Sequence, residues 1–185
     1  MATSFRKLMR PNIPMRLSLL VILAINCLSV FAQQPTVSTD PVVTEHFRKG
    51  SKAFLQQDYE TAADSYQKAL DLEKEKRTLS KEYFLVLIDN LGMSYGISGK
   101  LDKAKTIFEY GLTQYPEYPI FYYNLACTYG EQQKMNEAIA QLRLAYKNKN
   151  NMIAGETMPD PLKDDSFRYF VDKKEFVNAI HAMQK

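Results

Sequence analysis

The sequence is poor in the residues that build reactive or cross-linked sites. Its 185 residues include two cysteines, two histidines, seven glycines and eight prolines. Cys27 lies in an N-terminal stretch that reads as a removable leader, so the mature chain keeps Cys127 alone and has no intramolecular disulfide. His46 and His181 stand near opposite ends, and neither has metal-ligand spacing to the other or to Cys127. There is no glycine-rich phosphate loop, no Gly-x-Ser-x-Gly nucleophile and no Asn-x-Ser/Thr glycosylation acceptor. The last absence removes any hint of a eukaryotic secretory route. With 45% hydrophobic residues, 12% aromatics and so little glycine and proline, the chain is neither collagenous nor disordered.

An excess of positive charge is also missing from the body of the chain. The formal net charge is +3, but Arg6, Lys7, Arg10 and Arg16 have no acidic counterpart within residues 1–32. The remainder carries 20 basic against 21 acidic residues, which offers nothing to hold a nucleic acid. Residues 1–32 have the form of a secretory signal: a basic stretch ending at Arg16, the apolar run Leu17 to Ala32, and Val30-Phe31-Ala32 before the expected cut. That run of 16 residues, interrupted by Asn26, is short of the roughly 20 that a spanning helix needs. An uncleaved membrane anchor is the alternative, and a lipid on Cys27 a lesser one, since Asn26 is not the small residue that lipid attachment wants. The expectation is therefore an exported protein, periplasmic or extracellular, with residues 33–41 as a linker.

What the sequence does contain is a repeat. Gly50, Gly92 and Ala126 are spaced 42 and 34 residues apart. The same two intervals relate Ala53, Tyr95 and Tyr129; Tyr59, Leu101 and Met135; Ala62, Ala104 and Ala138; Tyr66, Phe108 and Leu142; and Ala69, Gly111 and Ala145. The sets are, in turn, small, aromatic or apolar, apolar, small, bulky apolar and small. Such a unit is a helical hairpin: a small residue on the first helix lets the second approach, and two small residues seven apart on the second admit neighbouring helices. No hairpin can bury its apolar face alone, so the units stack.

These units resemble tetratricopeptide repeats. Residues 90–116, NLGMSYGISGKLDKAKTIFEYGLTQYP, carry Leu91-Gly92, Tyr95, Gly99, Ala104, Phe108 and Pro116 at the family's positions. The first unit departs at Lys49, Ala53 and Lys74; the third has Ala126 for glycine and no closing proline. The resemblance implies an all-α, right-handed superhelical stack of three hairpins, at about 42–76, 80–116 and 118–150. A loop and capping helices over 151–185 follow. The eight extra residues between units one and two read as added helical turns around a short turn at Thr78 to Ser80, with Ser80 starting the next helix. Near the C-terminus, Phe176, Val177, Ile180 and Met183 have helical spacing, and Asp172 is the expected N-cap. YNLACTYG, Asp160-Pro161-Leu162 and Asp164-Asp165-Ser166-Phe167 resemble the last repeat and end cap of bacterial tetratricopeptide proteins, in which Cys127 would be a packing residue. Asp164-Asp165 reads as the acidic start of a helix rather than a cation site.

In this family the first helices of successive repeats line a concave groove for a peptide or protein segment. By position the groove residues are Phe47, Ser51, Phe54 and Leu55, then Asp89, Asn90, Met93 and Ile97, then Tyr123, Asn124 and Glu131. Groove exposure is favoured for the second repeat; elsewhere the residues could equally be interior, with the end cap folded over the third. A clamp for an acidic C-terminal chaperone tail needs cations here, and of Phe47, Ser51, Asn90, Ile120 and Asn124 only Asn90 fits. No catalytic residue, cofactor or metal is expected. The implied function is non-catalytic protein binding, as a scaffold or adaptor; the alternatives are a structural subunit of an oligomeric envelope assembly, or an accessory or inhibitor subunit of an enzyme.

Overall fold

The computed structural model describes residues 40–185. Among these there are seven α-helices and no strand: α1 Pro41–Leu55, α2 Tyr59–Lys76, α3 Lys81–Ile97, α4 Leu101–Gln114, α5 Pro119–Glu131, α6 Met135–Lys147 and α7 Lys174–Gln184. Three short 3₁₀ turns, Lys149–Asn151, Pro161–Lys163 and Asp165–Phe167, lie between α6 and α7. Helices α1–α2, α3–α4 and α5–α6 form three hairpins, and each packs on the next through its second helix. No helix among the described residues is long and apolar enough to cross a membrane.

The small-residue columns act as the sequence reading requires. A Cβ on Gly50 would stand 2.7 Å from the ring of Tyr66, and one on Gly92 would run into Phe108, so the second helix lies against the bare backbone of the first. Ala62, Ala104 and Ala138 are fully buried, as are Ala69 and Ala145. Gly111 continues that column, and a Cβ there would meet Phe121 of the next hairpin at 2.5 Å.

The turn within each hairpin is built the same way three times. Gln57, Gly99 and Gln133, again 42 and 34 apart, take left-handed φ values of 61°, 76° and 59°. The next amide closes back on the helix: Asp58 N to Ala53 O at 2.9 Å, Lys100 N to Tyr95 O at 2.8 Å, Lys134 N to Tyr129 O at 2.9 Å. This is a C-terminal cap with one residue in the left-handed region, which satisfies carbonyls the helix would leave bare.

The extra residues between the first two units lengthen the helices around them. α2 has 18 residues against 14 in α4, and α3 has 17 against 13 in α5. Between them, Arg77 is left-handed at φ 50° and Ser80 Oγ accepts from Tyr83 N. Glu73, buried near the end of α2, accepts from Thr78 N at 2.8 Å, Thr78 Oγ1 at 3.1 Å and Leu79 N at 3.1 Å. A side chain thus completes the linker that backbone bonds leave open. At the C-terminus the expected cap is corrected: α7 starts at Lys174 with Lys173 at the N-cap position and no side-chain cap bond, because Asp172 still belongs to the preceding turn.

Candidate binding surface

The predicted groove residues separate into three groups. The first is buried. Phe47 is 1% exposed, edge-on to Tyr66 at 5.6 Å and to Tyr83 at 6.2 Å, so it joins α1 to α2 and α3. Phe54 packs edge-on to Tyr59 at 5.3 Å across the first turn. The expectation that these two rings face a partner is corrected: Phe54 fills the space within its own hairpin, and Phe47 the seam between the first hairpin and the second. Ser51 stays half-buried, donating to Phe47 O and accepting from the Tyr66 hydroxyl at 3.1 Å, and Leu55 is exposed.

The second group belongs to the third hairpin and is covered by residues 164–168. Tyr123, expected on the concave side, is 2% exposed. Its ring lies edge-on to Phe167 at 6.1 Å, and its hydroxyl donates to Asp164 Oδ2 at 3.0 Å. Cys127 Sγ lies 3.7 Å from the same oxygen, and Asp164 Oδ1 accepts from Ser166 N at 2.9 Å. Asp164 therefore starts a 3₁₀ turn and fastens it to α5 with one carboxylate. Glu131 is taken by Arg168, through two bonds of 2.8 Å, which hold the guanidinium pKa above its ordinary value. Between these ties, a Cβ on Gly130 would collide with the Ser166 carbonyl oxygen. Behind the turn, Phe167, Phe170, Phe176 and Ile180 pack on Ala126, Ala138, Ile139, Leu142 and Ala145. Tyr122 remains half-buried, donating to Pro116 O at 2.8 Å.

The third group lies at the seam between the second and third hairpins. Asn124 Nδ2 donates to Asp89 Oδ1, joining α5 to α3 with both side chains buried. Nearby, Tyr118 is buried and donates to Glu156 Oε1 at 2.5 Å. Burial pushes the Tyr118 phenol far above its usual range, with the charges of Glu156 and Asp89 adding to it. Asn90, Met93 and Ile97 of α3 are left half-exposed, with no side chain of the C-terminal segment hydrogen-bonded to them.

Among the described residues neither histidine joins a group that could hold a metal ion: His46 is half-buried on α1 and His181 exposed on α7. The sequence reading missed Glu73, Glu156, the Arg168–Glu131 pair and the close passage at Gly130. Only the last had a signal, since Gly96 and Gly130 share a repeat column and neither is needed for a positive φ.

Comparison with known proteins agrees with this geometry. No curated protein matches the sequence. Among solved structures, the chain is similar to the Sgt2 TPR domain from Aspergillus fumigatus, with a TM-score of 0.54 and 15% identity over 82% of this chain and 85% of that one. At that identity the likeness concerns the fold. Residues 120–152, the third hairpin and the turn that follows it, match the tetratricopeptide repeat family, and the stacked-hairpin fold is similar to that of a tetratricopeptide domain.

Proposed function

We propose that this protein is a non-catalytic binding module that takes a segment of another protein on the faces of α1 and α3. Domains of this repeat generally mediate protein–protein interaction, and that supports the class of function. The observation that carries the location is the contrast in cover. The α5 face is filled by the chain's own Asp164, Phe167 and Arg168, whereas Asn90, Met93 and Ile97 on α3 and Ser51 and Leu55 on α1 keep accessible surface. These residues are uncharged, so they favour a partner contributing apolar side chains and backbone groups for the Asn90 amide.

Export is part of the proposal and rests on residues 1–32 alone. It places the module in a bacterial envelope or outside the cell as a scaffold or adaptor, and the bacterial end-cap resemblance of residues 160–170 supports that origin. Cell fractionation with N-terminal sequencing tests it: a mature chain beginning at Gln33 is expected, and a cytoplasmic chain retaining Met1 overturns it. For the surface, Met93→Glu is expected to lose an interactor that the unaltered protein recovers from envelope extracts, with helicity and melting temperature retained. Equal recovery by both proteins refutes the α3 face.

A further inference from the structure

Residues 151–159 run from the end of α6 back past the start of α5 as a strap with few holds. Its tip is a turn in which Glu156 N donates to Ile153 O at 3.1 Å and Gly155 takes φ 90°. Ala154, Gly155 and Thr157 are exposed. Two bonds tie the strap to the third hairpin: a long one from Asn151 Nδ2 to Glu117 O at 3.4 Å, and that from Tyr118 Oη to Glu156 Oε1. Met158 adds packing on the C-terminal apolar cluster. The other carboxylate oxygen, Glu156 Oε2, accepts from Ile153 N at 3.1 Å, so one side chain both shapes the turn and docks it.

That side chain is an acid with no cation paired to it among the described residues. None of the ion pairs among the described residues includes Glu156. The titratable groups set around it are the Tyr118 phenol at the start of α5 and, acting on that phenol from α3, Asp89, which Asn124 holds. A carboxylate brought there loses water and gains two neutral donors and no positive charge.

We propose that residues 151–158 form a proton-sensitive strap, docked on Tyr118 when Glu156 is protonated and released more readily when it is ionised. Burial raises the Glu156 pKa above its ordinary value, with the Tyr118 and Ile153 bonds opposing the rise only in part. The docked state therefore binds the proton more tightly than the open one. Docking is strongest below the ordinary value of 4.5 and weakens as pH climbs to the raised value, beyond which the loss is complete.

Amide hydrogen exchange of the full chain, expressed as protection factors for 151–158, tests this between about pH 4.5 and about pH 8. Wild-type protection is expected to fall with pH, by about tenfold for each unit of displacement in the Glu156 pKa, while α5 and α6 stay unchanged. Glu156→Gln keeps an acceptor for Tyr118, removes the charge and gives up the Ile153 bond, so its protection is expected to be flat with pH, at or below the wild-type level of the acidic end. Tyr118→Phe removes the one donor from the stack and is expected to lower protection most at high pH. Equal pH profiles for wild type and Glu156→Gln overturn the proposal, as does a wild-type profile that is flat or rises with pH.

Discussion

The first and third hairpins share a turn and a set of small residues, yet their outer faces differ in kind. The outer side of α1 is charged. Glu45 pairs with Arg48 at 2.9 Å and with Lys49 at 3.7 Å, all largely in water, and Asp40 caps α1 while taking Lys76 of α2 at 2.8 Å. The outer side of α5 and α6 is apolar and is closed by a separate segment bearing Phe167, Phe170, Phe176 and Ile180. Among the described residues, one end presents charged side chains and the other is closed by extra chain. A stack of hairpins exposes an unsatisfied face wherever it stops, and the remedy depends on whether that face is written as polar or as apolar.

The largest test of this contrast is to remove a side chain from each end. Phe176→Ala takes a fully buried ring from the C-terminal cluster and is expected to cost about 3–5 kcal/mol in urea unfolding. Arg48→Ala removes an exposed, solvent-screened pair and is expected to leave the urea midpoint unchanged within error. Comparable losses would mean that the C-terminal segment does not close the stack.

A sharper test uses one column. Gly96 and Gly130 occupy equivalent places on α3 and α5. A Cβ at Gly96 finds only the Ala104 Cβ at 3.8 Å, an ordinary contact, whereas one at Gly130 strikes the Ser166 backbone, which cannot turn aside as a side chain can. Gly130→Ala is expected to destabilise by about 1–3 kcal/mol and to expose residues 164–170 to hydrogen exchange. Gly96→Ala is expected to be neutral or to stabilise by up to about 1 kcal/mol through helix propensity. The same change then has opposite signs in two repeats, set by whether the extra chain passes there.

Glu73→Gln falls between these in size. It leaves the buried carboxylate's shape and replaces a charged acceptor of the Thr78 and Leu79 groups by a neutral amide. A loss of about 1–2 kcal/mol in chemical unfolding is expected, while Glu75→Gln, two residues on and exposed, should change nothing measurable. Equal effects would show that the linker between the first two hairpins closes without Glu73.

The stack was legible because its determinants recur. Gly50, Gly92 and Ala126 oppose Tyr66, Phe108 and Leu142, and a steric demand met three times leaves matched intervals in the chain. The added turns of α2 and α3 were legible for the same reason, as a departure from the interval. The surface was less so. Phe47 and Tyr123 hold the position that Asp89 holds in the middle hairpin, and position alone placed all three in a groove. Their burial depends on what stands opposite: Tyr83 for Phe47, Asn124 for Asp89, Asp164 and Phe167 for Tyr123. Those partners come from outside the repeat, and in the third case from 41 residues downstream, where no periodicity reports them. Glu156 had no signal at all, since an isolated acid in a loop looks solvated until the loop is seen to fold back.

The smallest effect concerns the turns, where the three hairpins are alike in shape but not in residue. Gly99 reaches φ 76° without steric cost, but Gln57 and Gln133 hold φ near 60° with a Cβ that meets the following carbonyl, a conformation costing roughly 1 kcal/mol or more for a non-glycine residue. Both glutamines are exposed, and their amides bond to Phe54 O and Gly130 O through the backbone alone, so replacing the side chain disturbs no packing. Glycine also widens the unfolded ensemble, which offsets part of the gain. Gln133→Gly and Gln57→Gly are each expected to stabilise by about 0.5 kcal/mol and to add independently, the two turns being far apart in the stack. Gly99→Ala is expected to destabilise by about 1 kcal/mol, although nothing lies within 4 Å of its Cβ, so that the loss reports backbone strain alone. If all three variants moved stability in the same direction, the shared left-handed turn would not be what limits the hairpins, and their likeness in geometry would carry no common energetic meaning.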